Sequence, residues 1–146
     1  MQVRKWQGGF TLIEMLVVLV IIGLLAGLVG PRLFGHVDTA KVQTAQTQIK
    51  MLKGAVDALR LDIGRIPTTT EGLSLLVTPP QDEKLHSMWH GPYIDGALPP
   101  DPWGNAYQYS VPGADGQAFA LYSWGADGKP GGTGLDADLG YLPPQP

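Results

Sequence analysis

Acidic residues gather in a glycine-rich stretch near the C-terminal end of the chain, over residues 124–139. Asp127, Asp136 and Asp138 supply carboxylates there, and a glycine-rich backbone can also turn its carbonyl oxygens inward. Hard cations such as Ca²⁺ bind six to eight oxygen ligands of these two kinds. The 146 residues include no cysteine and the stretch has no histidine, which disfavours zinc. The spacing does not match an EF-hand, so the pattern alone is as typical of a solvated acidic turn as of a calcium loop.

A second group of reactive side chains, His86, Ser87 and His90, lies around Met88-Trp89. Two histidines beside a serine are residue types found in nucleophilic sites. No acidic residue is placed to orient them, and Ser87 lacks a Gly-x-Ser-x-Gly turn. Glycine-rich phosphate-binding motifs are also missing from the sequence. The sequence therefore predicts an exposed loop here and a protein that is not an enzyme.

One carboxylate, Glu14, lies near the start of an apolar run that has no charged residue from Met15 to Gly30. With residues 10–13 added, the run is about 20 residues long, or roughly 30 Å as a helix, which is enough to span a bilayer. Basic residues precede it at positions 4 and 5, so the N-terminus is expected in the cytoplasm. A lone charge in such a segment costs about 2.5–3.5 kcal/mol at a bilayer centre, so Glu14 requires a partner.

Three interpretations of this N-terminal region compete. A secretory signal peptide would be cut after the apolar run, where Pro31 makes a poor site. A plain single-span anchor would be retained intact, and a prepilin-type leader would be cut before the run, between Gly9 and Phe10. We favour the leader, because neither of the other interpretations gives Glu14 a role.

The segment Gly9-Phe10-Thr11-Leu12-Ile13-Glu14, followed by the apolar run, resembles the class III signal of type IV pilins and type II secretion pseudopilins. The resemblance implies that a prepilin peptidase removes residues 1–9 and that Phe10 is then N-methylated. Cleavage would create a positive amine on Phe10, which the Glu14 carboxylate of a neighbouring subunit can meet in a filament. A buried pair of this kind adds little net stability, but leaving it half made is costly, so it would set the register of subunit stacking.

The predicted fold class is α+β, a pilin-like lollipop. Residues 10–31 form the transmembrane or filament-core half of a long helix, and Pro31 is expected to end or kink this half. Residues 32–65 form its amphipathic half, with apolar residues from Leu33 to Ile63 at steps of three and four. Residues 66–146 form a small globular head. Alternation over 107–111 and 118–123, with a turn near Asp115-Gly116, predicts a β-hairpin in a short antiparallel sheet.

Three segments of the head, 67–73, 91–94 and 98–107, are similar to those of the major pseudopilins of type II secretion. Those pseudopilins bind calcium in the acidic glycine-rich loop, so the resemblance implies Ca²⁺ as a cofactor here. The implied ligands are the carboxylates of Asp127, Asp136 and Asp138, with backbone oxygens near Trp124 and Leu135. A small head without cysteine would use the ion to stabilise its fold.

The resemblance implies a structural subunit of a type II secretion pseudopilus, a helical filament that helps to drive folded proteins across the outer membrane. The implied partners are other copies of the chain, the prepilin peptidase, minor pseudopilins and the inner-membrane assembly platform. The expected location is the bacterial inner membrane, crossed once, with a periplasmic head and a periplasmic filament after assembly. A type IV pilin or minor pseudopilin is one alternative, and a membrane-anchored calcium-dependent enzyme or binding module is another. Nine acidic residues against two lysines after residue 65 argue against nucleic acid as a partner.

Overall fold

A long helix and a small sheet dominate the chain. The structure is a computed structural model that describes residues 8–145, with the side chains of residues 31–34 outside that description. Along the chain come α1 (Leu12–Ile63), a 3₁₀ turn (Gly72–Leu76), α2 (Glu83–Met88), β1 (Gln108–Ser110), β2 (Ala120–Ser123), a second 3₁₀ turn (Gly134–Asp136) and β3 (Leu139–Tyr141). This composition confirms the α+β class. The expectations for residues 1–7 lie outside the described residues.

The chain divides into two compact units at Val37 and Asp38. In the described part of the first unit, the side chains from Gly8 to Val29 are exposed, and most of them are large and apolar. By length and composition, α1 contains a stretch that can cross a membrane. A helix that is apolar on all sides is stable only when lipid or other helices cover it.

The second unit holds the core. Helix α1 contributes a buried stripe whose members recur at helical spacing: Ala45, Ile49, Leu52, Val56, Leu59 and Ile63. The amphipathic pattern is thus confirmed for this part of the helix, whereas Val37 and Ala40 are exposed. Leu121 of β2, Phe119 and Leu76 are among the buried residues that pack with this stripe. The helix ends at Ile63, close to the predicted bound at residue 65, because Gly64 adopts φ +78° and donates to the carbonyl of Arg60.

The sheet has three antiparallel strands in the order β1-β2-β3. Tyr109 lies opposite Leu121, which in turn lies opposite Tyr141. The predicted hairpin of β1 and β2 is confirmed, and its turn has left-handed backbone at Asp115 (φ 52°) and Gly116 (φ 79°). The third strand is not predicted by the sequence pattern, because β3 has three residues with Gly140 at the centre.

Two further expectations are corrected, one of them in part. Helix α1 continues through Pro31, so this proline does not end the helix, and the alternative of a kink there stays a prediction. Around Ser87 the chain forms the short helix α2 rather than a loop, and the side chain of Asp82 caps it by accepting from the Leu85 amide. The side chain of Ser87 on this helix is exposed, as expected.

Candidate functional sites: the helix start and the acidic glycine loop

The first candidate site is the start of α1. The Thr11 hydroxyl accepts from the Glu14 amide, and Glu14 Oε2 accepts from the Thr11 amide, both at 3.3 Å. Because Thr11 directly precedes the first helical residue, this reciprocal pair is a capping box. It gives the Glu14 carboxylate a role within its own subunit that the sequence analysis did not anticipate.

Gly9 and Phe10 lie just before this cap, in backbone with no helical assignment. The Phe10 side chain is 82% exposed, and Glu14 is exposed among apolar neighbours. Thr11 therefore separates the residues expected to be processed from the rigid helix. The carboxylate of Glu14 is open to a cation from outside the subunit as well as to its own cap.

The second candidate site is the loop between β2 and β3. Asp127 Oδ1 accepts from the Lys129 amide at 3.0 Å, and Asp138 Oδ2 accepts from the Gly131 amide at 3.1 Å. The other oxygen of this second carboxylate, Asp138 Oδ1, is buried without a hydrogen-bond partner. A buried carboxylate oxygen left unpaired is costly, so this atom calls for a cation or a donor that the described residues do not supply.

Backbone oxygens approach the glycines of the same loop. A Cβ atom added at Gly125 would lie 2.7 Å from the Ala137 carbonyl oxygen and 2.8 Å from that of Leu135. A Cβ at Gly132 would collide with the carbonyl oxygen of Asp136. Both glycines have positive φ, at +73° and +86°, so the close approach needs glycine at each position. The loop therefore holds the carbonyl oxygens of Leu135 and Ala137 against Gly125 and that of Asp136 against Gly132.

The predicted ligands are only partly brought together. Within residues 8–145 no group of three or more Asp, Glu or His side chains is arranged to hold a metal ion. Asp127 and Asp136 are exposed, Trp124 is half-buried, and the carbonyl oxygen of Leu135 already accepts from the Ala126 amide at 2.9 Å. The donors present fit Ca²⁺ through Asp138 and carbonyl oxygens more closely than through three converging carboxylates.

A buried polar pair beneath this loop was missed by the sequence analysis. Asp101 is 3% exposed and Ser123 is fully buried, and the Ser123 hydroxyl donates to Asp101 Oδ2 at 2.5 Å. Asp101 Oδ1 accepts from the amides of Trp103 and Asn105 at 3.1 and 2.8 Å. The sequence signal was Asp-Pro-Trp-Gly-Asn, in which an aspartate can bond the backbone ahead of it in a turn.

The histidine and serine group does not form a nucleophilic site among the described residues. The Ser87 hydroxyl donates to the Lys84 carbonyl at 2.7 Å, within its own helix. His86 Nδ1 lies 3.2 Å from the Pro80 carbonyl, and His90 Nδ1 lies 3.7 Å from Asp62 Oδ2. Each side chain is thus engaged locally rather than with the others.

A capped, apolar, exposed N-terminal helix and a small head with a three-stranded antiparallel sheet define a pilin-like filament subunit. The family model for protein G of the type II secretion system matches residues 32–142, and that for the prokaryotic N-terminal methylation motif matches residues 7–30. The chain belongs to the type II secretion system protein G family, the major pseudopilins. It is accordingly a structural subunit of the pseudopilus, attached to a membrane through α1.

Individual relatives agree with this assignment. The type II secretion system core protein G of Pseudomonas aeruginosa is 47% identical over 137 residues, covering 94% of this chain and 96% of the relative. That of Vibrio cholerae is 45% identical over 140 residues, covering 96% and 94%. The crystal structure of the major pseudopilin from the type 2 secretion system of enterohaemorrhagic Escherichia coli superposes with a TM-score of 0.56 at 34% identity, covering 75% of this chain and 92% of that one.

Proposed function

We propose that this subunit is made as a precursor, is cleaved after Gly9 and is methylated at Phe10 by a prepilin peptidase. The match to the N-terminal methylation motif supports this proposal, and so does the non-helical backbone ahead of the Thr11 cap. A peptidase must bind its substrate in an extended form, and the two residues at the cut have no helix to unwind. Residues 1–7 carry the basic charges that keep this end in the cytoplasm.

In this proposal the subunit crosses the inner membrane once and places its head in the periplasm. Subunits then associate through their apolar helices into a helical filament, whose growth helps to move folded proteins through the outer membrane. The partners are other copies, minor pseudopilins and the inner-membrane assembly platform. The main observation in support of this proposal is the exposed apolar half of α1. Lipid covers this surface before assembly, and neighbouring helices cover it afterwards. The work of this protein is structural, and we assign it no catalytic role.

Glu14 couples processing to assembly in this scheme. Before cleavage its carboxylate caps its own helix through Thr11. After cleavage the amine of Phe10 on a neighbouring subunit offers a full positive charge, which binds a carboxylate more strongly than a neutral amide does. An exchange of partners from the cap to the amine would make assembly depend on prior processing.

We also propose that the loop between β2 and β3 binds calcium. Asp138 would hold the ion through its unpaired buried oxygen, with Asp127, Asp136 and carbonyl oxygens near Trp124 and Leu135 as the remaining candidate ligands. When bound, the ion would supply a central positive charge that holds the two ends of the loop together and joins β3 to β2.

The experiment that tests the proposed function is production of the chain in cells that carry the secretion machinery, with Gly9→Leu as the variant. We expect wild-type protein to appear as filaments, with a mature N-terminus of methylated Phe10 in mass spectrometry. The variant should remain at precursor mass, in the membrane fraction and without filaments. Filaments built from uncleaved precursor would overturn the proposed order of events.

A further inference from the structure

The loop between β2 and β3, here called the cation loop, contacts a second element, the turn from Asp101 to Asn105, in which Asp101 is buried. This turn closes on itself, because the Asp101 amide donates to the Asn105 carbonyl at 2.8 Å and Asp101 Oδ1 accepts from the Asn105 amide at 2.8 Å. One carboxylate oxygen therefore folds the turn. The other, Oδ2, points away from it to the Ser123 hydroxyl.

Ser123 connects Asp101 to the loop through two hydrogen bonds. Its hydroxyl donates to Asp101 Oδ2 and accepts from the Gly125 amide at 3.1 Å, and all three groups are buried. Gly125 is the residue against which the carbonyl oxygens of Leu135 and Ala137 lie. The chain of contacts thus runs from the carboxylate of Asp101 to the place where the two ends of the loop meet.

A second contact runs beside the first. A Cβ atom added at Gly128 would lie 3.0 Å from the side-chain nitrogen of Asn105, so the Asn105 amide packs against the loop backbone just after Asp127. The same five-residue turn therefore supports the loop indirectly through Ser123 before Asp127 and directly at Gly128 after it. Hydrogen-bonded supports of this kind orient the groups that bind a metal without touching the metal themselves.

We propose that Asp101 and Ser123 are positioning residues for the cation loop, which they hold in binding geometry through the Gly125 amide. The proposal rests on the calcium binding proposed above. Neither residue is a ligand, since Ser123 faces Asp101 and the amide of Gly125, and the carboxylate of Asp101 is occupied by three donors. Asp101 and Ser123 act by ordering the loop before the ion binds.

Ser123→Ala tests this in the full mature chain in detergent micelles, with Ser87→Ala as the matched control. The Ser87 hydroxyl also donates a hydrogen bond, in its case to the Lys84 carbonyl, but Ser87 is exposed on α2, far along the chain from the loop. Calcium is titrated by calorimetry. We expect Ser123→Ala to weaken calcium binding by about 10-fold or more, as is typical when support for a metal ligand is removed. Ser87→Ala should bind calcium like the wild type.

Amide hydrogen exchange in the presence of a chelator gives a readout that does not need the metal. We expect Ser123→Ala to speed exchange at the amides of Gly125, Ala126 and Gly131, while the amides paired between β1 and β2 keep their protection. Asp101→Asn supplies a second variant, because its side-chain oxygen can still accept from the turn while its amide replaces the charged acceptor of Ser123. Asp101→Asn should also weaken calcium binding and speed exchange at the loop amides, both by less than Ser123→Ala.

The outcomes separate the two proposals. Equal calcium affinity and equal loop exchange in wild type and Ser123→Ala would overturn the positioning role and leave calcium binding intact. A wild-type chain that binds no calcium would overturn the proposed calcium function, and the positioning role for a cation would fall with it. Weaker binding accompanied by faster exchange throughout the sheet would identify a general loss of structure and would also overturn the proposal.

Discussion

The guanidinium of Arg65 holds both carboxylate oxygens of Glu71, at 2.7 Å from Nη1 to Oε2 and 2.8 Å from Nη2 to Oε1. Glu71 also forms a capping pair with Thr68, because each side chain accepts from the other residue's amide at 2.9 and 3.2 Å. One carboxylate thus connects Arg65, the second residue after α1, to the turn that leads into the head. The two side chains are 35% and 30% exposed, so water screens the pair in part.

Acid should destabilise the head through this pair. Hydrogen bonding from Arg65, with further bonds from Thr68, lowers the pKa of Glu71 from 4.5 to about 2. A carboxyl group with a lowered pKa in the folded state stabilises that state above pH 4.5, and the stabilisation is lost as pH falls towards 2. Glu71→Gln should lower the free energy of unfolding by about 1 kcal/mol at pH 7 and flatten its fall between pH 5 and 2. Denaturant unfolding at a series of pH values measures both effects. If the free energy of unfolding fell as steeply between pH 5 and 2 in Glu71→Gln as in the wild type, this account would be contradicted.

Variants at the start of α1 should separate capping from charge pairing. Glu14→Gln keeps an oxygen that can accept from the Thr11 amide but removes the charge, whereas Thr11→Ala removes the hydroxyl of the cap and keeps the charge. We expect Glu14→Gln and Glu14→Ala to be cleaved normally and to form no filaments. Thr11→Ala should assemble, with a loss of about 1 kcal/mol in helix stability. Electron microscopy of filaments and the mass of the mature chain are the measurements. Normal filaments from Glu14→Gln would assign this carboxylate to capping alone.

Calcium should stabilise the head. For a ligand at about 100 times its dissociation constant the gain is about 2.7 kcal/mol, which corresponds to a rise in Tm on the order of 10 °C for a domain of this size. Asp138→Asn should remove most of the rise, since its buried oxygen has no other partner among the described residues. Asp127→Ala tests the exposed ligand candidate in the same way. Asp115→Asn, in the hairpin turn, is the control and should keep the full rise, because asparagine tolerates positive φ. Thermal unfolding with calcium and with a chelator measures these shifts, and an unchanged wild-type Tm would exclude the site.

Alkali should also unfold the head, through Tyr109. Its hydroxyl donates to the Pro67 carbonyl at 2.8 Å, and burial, with a smaller contribution from the charge of Glu71, raises the pKa of Tyr109 to about 12. A raised pKa means that the stabilisation is complete below pH 10 and is lost as pH rises towards 12. Tyr109→Phe should cost about 1 kcal/mol at pH 7 and make the loss between pH 10 and 12 shallower. Unfolding monitored by circular dichroism at each pH measures how the free energy of unfolding changes between pH 10 and 12. The same pH dependence in Tyr109→Phe and in the wild type would refute the role of this hydroxyl.

Gly140, at the centre of β3, should resist substitution. Its φ is +122°, and a Cβ atom there would lie 2.6 Å from the Leu121 carbonyl oxygen and 2.9 Å from Cδ1 of Ile49. Gly140→Ala should therefore destabilise the head by about 1–3 kcal/mol. Gly54→Ala is the matched control, since this glycine lies on an exposed part of α1 with nothing near its Cβ position. The control should raise stability by up to about 1 kcal/mol through helix propensity. Denaturant midpoints should therefore move in opposite directions, and a shift in the same direction would contradict the packing argument.

Local patterns carried much of the prediction. The apolar run, the stripe from Ala45 to Ile63 and the Asp115-Gly116 turn each depend on spacing within a few residues, and each is found where the sequence places it. The end of α1 at Gly64 belongs to the same class, because a glycine with positive φ stops a helix through its own backbone. The family resemblance of the N-terminal motif also depends on consecutive residues, and it led to the correct class of protein.

The features that were missed depend on contacts between residues far apart in the chain. Strand β3 is too short to show a period, and it exists because Gly140 fits against Leu121 and Ile49. The hydrogen bond between Asp101 and Ser123 joins positions 22 residues apart, and neither residue by itself indicates that its side chain is buried. Sequence by itself thus determined the long helix, the N-terminal methylation motif and the acidic glycine loop, since these follow from short-range chemistry. Only the tertiary structure decided which loop oxygens are buried and what supports them, because burial is a property of the packed chain.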